Sequence, residues 1–150
     1  MGHTYTNLLI HAVFGTKDRR PAIHDSFRPR LYQYLSGLAR HEFGQALTIG
    51  GTADHVHGLL VLRADASVAE AMKKWKSLSS GWVHKTFAAE QDFGWQDGYG
   101  AFSVSRSLVP RLVAYIGQQE QHHRKMTFEE EFRRLLARHG IESDDARLGE

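Results

Sequence analysis

Short β-rich apolar runs and longer stripes at helical spacing follow one another along this chain. The run at residues 5–14, YTNLLIHAVF, is rich in β-forming residues and predicts a first strand. The runs at 46–51 and 55–62, separated by TAD, predict two strands joined as a hairpin. The run at 101–105, AFSVS, follows a glycine-rich loop and predicts a fourth strand. Together these runs predict a small sheet.

Two helices are predicted between these strands. The first follows a cap at Asp25 or Ser26 and ends at Gly44, because apolar residues recur between them at helical spacing. The second follows Ser67 as its cap and runs to Phe87. Its apolar stripe consists of Val68, Met72, Trp75 and Leu78.

Two more helices are predicted after the last strand. One begins near Ser107, tolerates Pro110 in its first turn and continues through RLVAYIGQQEQHHRK. Gly117 lies in its middle, where a glycine costs about 1 kcal/mol relative to alanine. The other, TFEEEFRRLLARHG, begins with a capping box of Thr127 and Glu130 and ends at a glycine.

The predicted order β-α-β-β-α-β, followed by helices, is that of the ferredoxin-like plan, an antiparallel sheet with packed helices in the α+β class. At 150 residues and 41% hydrophobic side chains, the chain can bury one core. We therefore predict a single domain over residues 1–150, with a flexible tail from about 141 to 150. Because this fold supports many functions, function has to be inferred from particular residues.

Charge and cysteine content exclude several kinds of site. The formal net charge is +2 with histidine neutral, so any nucleic-acid surface must come from local clusters of basic residues. There is no cysteine, which excludes disulfides, thiolate metal sites and cysteine nucleophiles. No secretory signal pattern or membrane-spanning apolar run is present, and we expect a cytoplasmic protein.

Two histidines, His55 and His57, lie one residue apart in the third predicted strand. Side chains alternate along a strand, so both imidazoles face the same side, as two ligands of a divalent metal would. The alternative is a pair of partly exposed, hydrogen-bonded histidines on an open sheet face. Asp54 precedes them in the turn and could orient one ring. Two ligands are too few for a metal site, so a third is expected elsewhere.

The third predicted helix offers candidates for the rest of such a site. Tyr115 and Gln119 are four residues apart and share one helical face, which His122 continues. A glutamine amide oxygen can bind a metal, and a tyrosine hydroxyl can be a nucleophile. Taken alone, a tyrosine in this position is more often an ordinary aromatic residue at the edge of the core, and only its combination with the histidine pair and Gln119 favours a nucleophile.

The strand His-x-His pair, together with the helical Tyr-x-x-x-Gln, resembles the HUH endonucleases. The likeness is to small single-tyrosine transposases of the insertion-sequence type and their relatives associated with repetitive extragenic palindromes. It extends from about Tyr5 to about Glu131 and includes the segments DHVHGLL, HAVFGTKDRRP, FGWQDGYGAFSVS and VAYIGQQEQHHRK. The segments in this order and spacing are more specific than the histidine pair alone.

The resemblance implies a metal-dependent single-stranded DNA endonuclease and strand transferase. His55, His57 and Gln119 would bind one divalent cation, Mg²⁺ or Mn²⁺, with imidazole ligands favouring Mn²⁺. Tyr115 would attack a phosphate at a hairpin-marked site and form a 5′-phosphotyrosine. The sequence offers no evident general base for this step. Family members act as homodimers, and whether Tyr115 works in its own chain or in its partner is left open.

Basic residues suited to DNA phosphates fall in three places, and aromatic residues lie beside some of them. The candidates are Lys17, Arg19 and Arg20 after the first strand, Lys73, Lys74 and Lys76 in the second helix, and His122, His123 and Arg124 after the tyrosine. The lysines could instead form a solvated helix face, with Trp75 in the core, and Arg124 could complement a helix dipole. Trp95 and Tyr99 are expected to pack rather than to contact bases.

Three other functions compete with this interpretation. A non-catalytic or domesticated hairpin-DNA-binding protein of the same fold is the first alternative. A metal-independent phosphoesterase with two His-x-Ser/Thr motifs is the second, but only the segment from His84 to Thr86 fits, and its pattern is helical. A replication initiator or relaxase shares the chemistry but is usually a longer chain with added domains.

Overall fold

A four-stranded antiparallel sheet forms the centre of the protein, whose computed structural model describes residues 2–142. The strands are β1 (Leu9–Gly15), β2 (Gly44–Gly51), β3 (His55–Leu62) and β4 (Gly100–Ser103). Their order across the sheet is β2-β3-β1-β4, which is the ferredoxin-like order. The predicted α+β fold and the β2–β3 hairpin are confirmed.

Five α-helices cover the two faces of this sheet. They are α1 (Arg28–Glu42), α2 (Val68–Thr86), α3 (Val109–Gly117), α4 (Gln119–His122) and α5 (Phe128–Arg138). No helix in the described part of the chain is long and apolar enough to cross a membrane. The single domain over residues 1–150 stays a prediction. Most of the tail expected from about 141 to 150, namely residues 143–150, lies outside the described residues.

The first face of the sheet carries the main apolar core, against α1 and α2. Trp75 is fully buried there and donates its indole N–H to the Leu35 carbonyl at 2.9 Å, so the prediction that it belongs to the core is confirmed. Gly58 is required beneath it, since a Cβ at that position would lie 2.5 Å from the Trp75 ring. Trp95 also packs in this core, as predicted.

The second face of the sheet carries α3, α4 and α5. Pairing of β1 with β3 sets Gly15 opposite His55, Val13 opposite His57 and His11 opposite Leu59. A smaller apolar cluster on this face joins the sheet to α5 and consists of Val13, Phe102, Phe128, Leu135 and Leu136. Both candidate histidines therefore lie between the sheet and the C-terminal helices.

Two element starts differ from the prediction. β1 begins at Leu9 rather than residue 5, because Leu9 pairs with Val61 and β3 ends one residue later, at Leu62, whose N–H donates to the Leu8 carbonyl. α1 begins at Arg28, and its N-cap is Phe27 with no side-chain hydrogen bond, so the predicted cap at Asp25 or Ser26 is wrong. The predicted caps at Ser67 and Thr127 are confirmed, each accepting a backbone N–H three residues ahead.

Two aromatic or apolar positions are also more exposed than predicted. Leu78 is 40% exposed, and Ser79 takes its place in the buried stripe of α2, where its hydroxyl accepts the Trp95 indole N–H at 2.9 Å. Tyr99 is 38% exposed, so the expectation that it packs rather than contacts bases stays a prediction.

The predicted third helix is two helices rather than one. α3 ends at Gly117 and α4 begins at Gln119, with a non-helical residue, Gln118, between them (φ −108°, ψ 23°). Gly117 is therefore at a helix end, where glycine carries little cost, and not in a helix interior. The break separates the helix that holds Tyr115 from the one that holds Gln119.

Candidate active site

The imidazoles of His55 and His57 are both fully buried, and each is oriented through its Nδ1 atom. His55 Nδ1 lies 2.8 Å from Asp54 Oδ1, and Thr52 Oγ1 donates to the same carboxylate oxygen at 3.0 Å. His57 Nδ1 lies 2.8 Å from Nε2 of His11, which is also buried. These partners fix both rings and direct both Nε2 atoms toward α4 and α5.

Two side-chain oxygens face these Nε2 atoms. Gln119 Oε1 lies 2.9 Å from His55 Nε2. Glu131 Oε1 lies 3.0 Å from His57 Nε2 and 3.6 Å from His55 Nε2. Ligand atoms from His55, His57 and Glu131 all lie within 4.8 Å of one another. Two imidazole nitrogens and two oxygens, each ring already held from behind, are a donor set that fits a divalent cation such as Mn²⁺ or Mg²⁺.

Tyr115 reaches the same cluster from α3. Its hydroxyl donates to Glu131 Oε2, which also accepts the side-chain N–H of Gln119 at 3.0 Å. The Tyr115 ring centroid is 5.9 Å from that of His57. The two oxygens of Glu131 thus face different partners, Oε1 the histidines and Oε2 the tyrosine.

Close packing of α3 on β2 places Tyr115 beside the histidines and Glu131. A Cβ at Gly50 would lie 2.3 Å from the carbonyl oxygen of Ile116, so only glycine permits this approach. Ile116, next to the tyrosine, is 1% exposed. Gly50, which is far from Tyr115 along the chain, therefore determines how closely the tyrosine helix approaches the sheet.

The hydrogen bonds at Glu131 determine its charge. Burial alone would raise the pKa of this carboxyl, but bonds from His123, His57 and Tyr115 outweigh burial and hold the pKa well below its usual range. Burial and the bond to Glu131 raise the pKa of Tyr115 above its ordinary value. In this arrangement, Glu131 is a carboxylate and Tyr115 is a protonated phenol.

The histidines of the cluster differ in their protonation. Burial, followed by the neighbouring His57, lowers the pKa of His11 to about 3. Burial also lowers the pKa of His57. For His123, burial is outweighed by the bond to Glu131, and the pKa is raised. The imidazoles of His11 and His57 are therefore neutral, as a metal ligand and its support must be.

His122 and His123 both lie beside the cluster. His123 Nε2 lies 3.1 Å from Gln119 Oε1 and 3.0 Å from Glu131 Oε1. The His122 ring centroid is 4.8 Å from that of Tyr115, and its buried Nε2 has no hydrogen-bond partner among residues 2–142. His122 therefore presents an unused polar atom next to the candidate nucleophile.

The other predicted DNA-contacting residues lie in different settings. Arg19 pairs with Glu129 at 2.8 Å and lies over the Phe128 ring, and Lys74 is 3.7 Å from Glu42. Lys76 donates to the carbonyls of Asp97 and Gly98. The remaining four are exposed: Lys17, Arg20, Lys73 and Arg124. Arg124 lines a cavity of about 720 Å³ that opens beside His123 and Asp54.

Glu131 and His11 are the members of the cluster that the sequence patterns did not indicate. Glu131 lies in the apolar stripe of α5, between Phe128 and Leu135, and His11 lies in the apolar run of β1. One signal in the sequence was available for both residues. Each is a titratable side chain at a position that the apolar periodicity assigns to the core.

Residues 4–119 match the family described as IS200-like transposases. Among solved structures, a candidate transposase from Deinococcus radiodurans R1 is 22% identical over 79% of this chain and 96% of its own, with a TM-score of 0.63. A REP-associated tyrosine transposase, solved bound to a REP hairpin, is 13% identical over 82% of this chain and 73% of its own, with a TM-score of 0.60.

At these identities, the two structures show a shared fold. No curated protein matches the chain. The family match spans the strand with the histidine pair, the tyrosine helix and Gln119, and it ends before α5. The chain belongs to the IS200-like transposase family.

Proposed function

We propose that this protein is a metal-dependent endonuclease and strand transferase that cleaves single-stranded DNA at hairpin-marked sites and rejoins it through a covalent bond to Tyr115. One observation carries the proposal. Tyr115, the histidine pair, Gln119 and a buried carboxylate converge on one cluster within a single chain.

We propose that His55, His57 and Gln119 hold the cation, as the family resemblance implies, and that Glu131 Oε1 completes the set. Its distance of 3.0 Å from His57 Nε2 and the short span of the ligand atoms support this addition. When bound, a divalent cation supplies Lewis-acid polarisation of the phosphate and compensates its charge. His11 and Asp54 orient the two imidazoles from behind.

The remaining chemistry is assigned to Tyr115 and Glu131. The Tyr115 oxygen attacks the phosphorus, the bond from phosphorus to the 3′ oxygen breaks, and the 5′ end becomes esterified to the tyrosine. Glu131 Oε2 already accepts the phenol O–H and is placed to take this proton, which passes to the departing 3′ oxygen. In rejoining, a 3′ hydroxyl attacks the ester, and the proton returns to Tyr115.

We propose single-stranded or hairpin DNA as the substrate. The REP-associated relative was solved with a REP hairpin, and this supports a similar ligand here. The exposed cations Arg20 and Arg124 suit phosphate oxygens. Lys17, Arg19, Lys73, Lys74, Lys76, His122 and His123 stay candidates for the same role. The homodimer that the resemblance implies is part of the proposal.

The test of this proposal is a covalent adduct. Protein is mixed with labelled hairpin oligonucleotides that carry single-stranded flanks, with Mn²⁺, and denatured before electrophoresis. We expect an adduct with the wild type, none with Tyr115→Phe, and none with a chelator. Tyr34→Phe is the matched control, since Tyr34 stacks on Trp82 in the α1–α2 layer, away from the site.

Two results would contradict the proposal. An adduct that persists in Tyr115→Phe would show that another residue is the nucleophile. Tight hairpin binding without any adduct, under all metal conditions, would instead identify a non-catalytic or domesticated hairpin-binding protein.

A further inference from the structure

A cavity of about 340 Å³ adjoins the cluster described above, which contributes Tyr115 and His11 to its wall. It lies between β4, α3 and α5, and Tyr115 forms part of its wall. The rest of the wall includes Phe102, Leu108, Arg111, Leu112, Arg138 and His139. A largely apolar wall with a few charged groups is typical of a ligand site.

The two arginines at this cavity have no ion pair or hydrogen bond within residues 2–142. Arg111 is in the first turn of α3, one helical turn before Tyr115. A cation at a helix N-terminus is unfavourable to the helix dipole, so Arg111 is not there to stabilise the helix. Two unpaired guanidinium groups at one cavity indicate an anionic ligand, and guanidinium geometry suits phosphate.

The apolar part of the wall suits a flat aromatic group. The rings of Phe102 and His139 stack at 4.5 Å with an interplanar angle of 15°. Leu108, 46% exposed, and Leu112 lie at the same cavity. Its volume is near the lower end of the range for small-ligand sites, about 300–1,000 Å³, which accommodates one nucleotide and excludes a duplex.

We propose that this cavity binds one nucleotide of the single strand next to the scissile phosphate, with its phosphate on Arg111 and Arg138 and its base against the apolar wall. The inference rests on the proposed function, because Tyr115 links the two sites: its ring lines the cavity and its hydroxyl lies at Glu131. Sequence preference beside the cleavage point would then arise here.

The test measures DNA binding without cleavage. A labelled hairpin with single-stranded flanks is titrated, in chelator, with wild type and with the double variant Arg111→Ala/Arg138→Ala. We expect about tenfold weaker binding, and a slope of log K against log salt that is smaller by about 0.7 for each phosphate that the variant no longer neutralises. Arg134→Ala, an exposed arginine on α5 that loses the same charge, is the control and should bind as the wild type does.

A second arm tests the base. Abasic nucleotides are placed singly along the flank, and one position beside the cleavage point should lower binding to the wild type about tenfold. In the variant Leu108→Glu, which changes an exposed residue of the cavity wall, an abasic nucleotide at the same place in the flank should no longer lower binding. The cavity proposal is overturned if the double variant matches Arg134→Ala and no single abasic position matters, while the wild type still forms its Tyr115 adduct. Absence of the wild-type adduct would overturn the proposed function itself.

Discussion

The two carboxylate oxygens of Glu131 have two distinct sets of contacts. Oε1 lies near the Nε2 atoms of His55 and His57, whereas Oε2 accepts from Tyr115 and Gln119. A glutamine at this position would keep the shape but lose the charge, and it would replace one acceptor oxygen with an N–H donor. The carboxylate is therefore the part of the side chain that the cluster requires.

We predict that Glu131→Gln weakens Mn²⁺ binding at least tenfold and lowers the rate of adduct formation more than a hundredfold. The first effect follows from loss of an anionic ligand and the second from loss of the proton acceptor for Tyr115. Calorimetric titration with Mn²⁺ measures binding apart from activity. Glu130→Gln, at the exposed neighbouring position, is the control, and equal Mn²⁺ affinity in the two variants would remove Glu131 from the ligand set.

His11 makes the stability of the metal-free protein depend on pH. Its folded pKa is about 3, whereas an unfolded histidine titrates near 6.5. Below pH 6.5, the unfolded chain takes up a proton that folded His11 does not, so the free energy of unfolding falls as pH falls. The lowered pKa of His57 acts in the same direction, and the raised pKa of His123 acts in the opposite one.

We predict that His11→Gln makes the free energy of unfolding less dependent on pH between 6.5 and 5. The contribution removed is at most about 1.4 kcal/mol per pH unit. Urea unfolding in chelator at several pH values measures it. His41→Gln, the same change at an exposed histidine, should keep the wild-type dependence, and an unchanged slope in His11→Gln would show that His11 is not its source.

The contact between β2 and α3 determines where the tyrosine lies. No side chain can be added at Gly50 without moving the backbone of α3, because the obstacle is the Ile116 carbonyl rather than a flexible side chain. Displacing α3 would move Tyr115 away from Glu131 while leaving the histidines on β3 in place.

We predict that Gly50→Ala lowers the rate of adduct formation at least tenfold and weakens Mn²⁺ binding less than Glu131→Gln does, because His55, His57 and Glu131 stay in place. Gly37→Ala, in an exposed position of α1 with no atom within 4 Å of the added Cβ, is the control and should be fully active. Adduct formation at the wild-type rate in Gly50→Ala would show that this packing does not position Tyr115.

Local sequence patterns predicted most of the helices and strands, but they did not predict the helix break at Gln118 or the contribution of Glu131 to the site. Alternation in β3 placed His55 and His57 on one face, and that face proved to be the one covered by the tyrosine helix. The break at Gln118 had only a weak signal, the neighbouring Gly117, which the pattern alone did not distinguish from a glycine tolerated inside a helix. Glu131 was missed because its role depends on α5 packing across the sheet, which is a tertiary contact and has no local pattern.

Tyr115 lies against the histidines of its own chain. The hydrogen bond to Glu131 and the 5.9 Å distance to the His57 ring are both within one molecule, and α5 covers the tyrosine from the same chain. In this arrangement, the site needs no residue from a second copy, even if two copies are needed to hold two DNA ends.

We predict that two inactive variants, Tyr115→Phe and His57→Ala, do not restore adduct formation when mixed. A site shared between chains would regain activity in mixed dimers, because one partner would supply the tyrosine and the other the histidines. The same adduct assay measures this, with circular dichroism to confirm that both variants fold. An adduct on the His57→Ala chain would show that the tyrosine acts in trans.

The residues of the cluster are far apart along the chain, with a sequence separation of 64 from His55 to Gln119 and of 74 from His57 to Glu131. An ion bound to all of them would act as a cross-link that closes long loops, and it would bind only the folded chain. At a free concentration of one hundred times its Kd, such an ion adds about 2.7 kcal/mol to the free energy of unfolding. The metal supply would then set how much of this protein is folded, as well as how fast it acts on DNA.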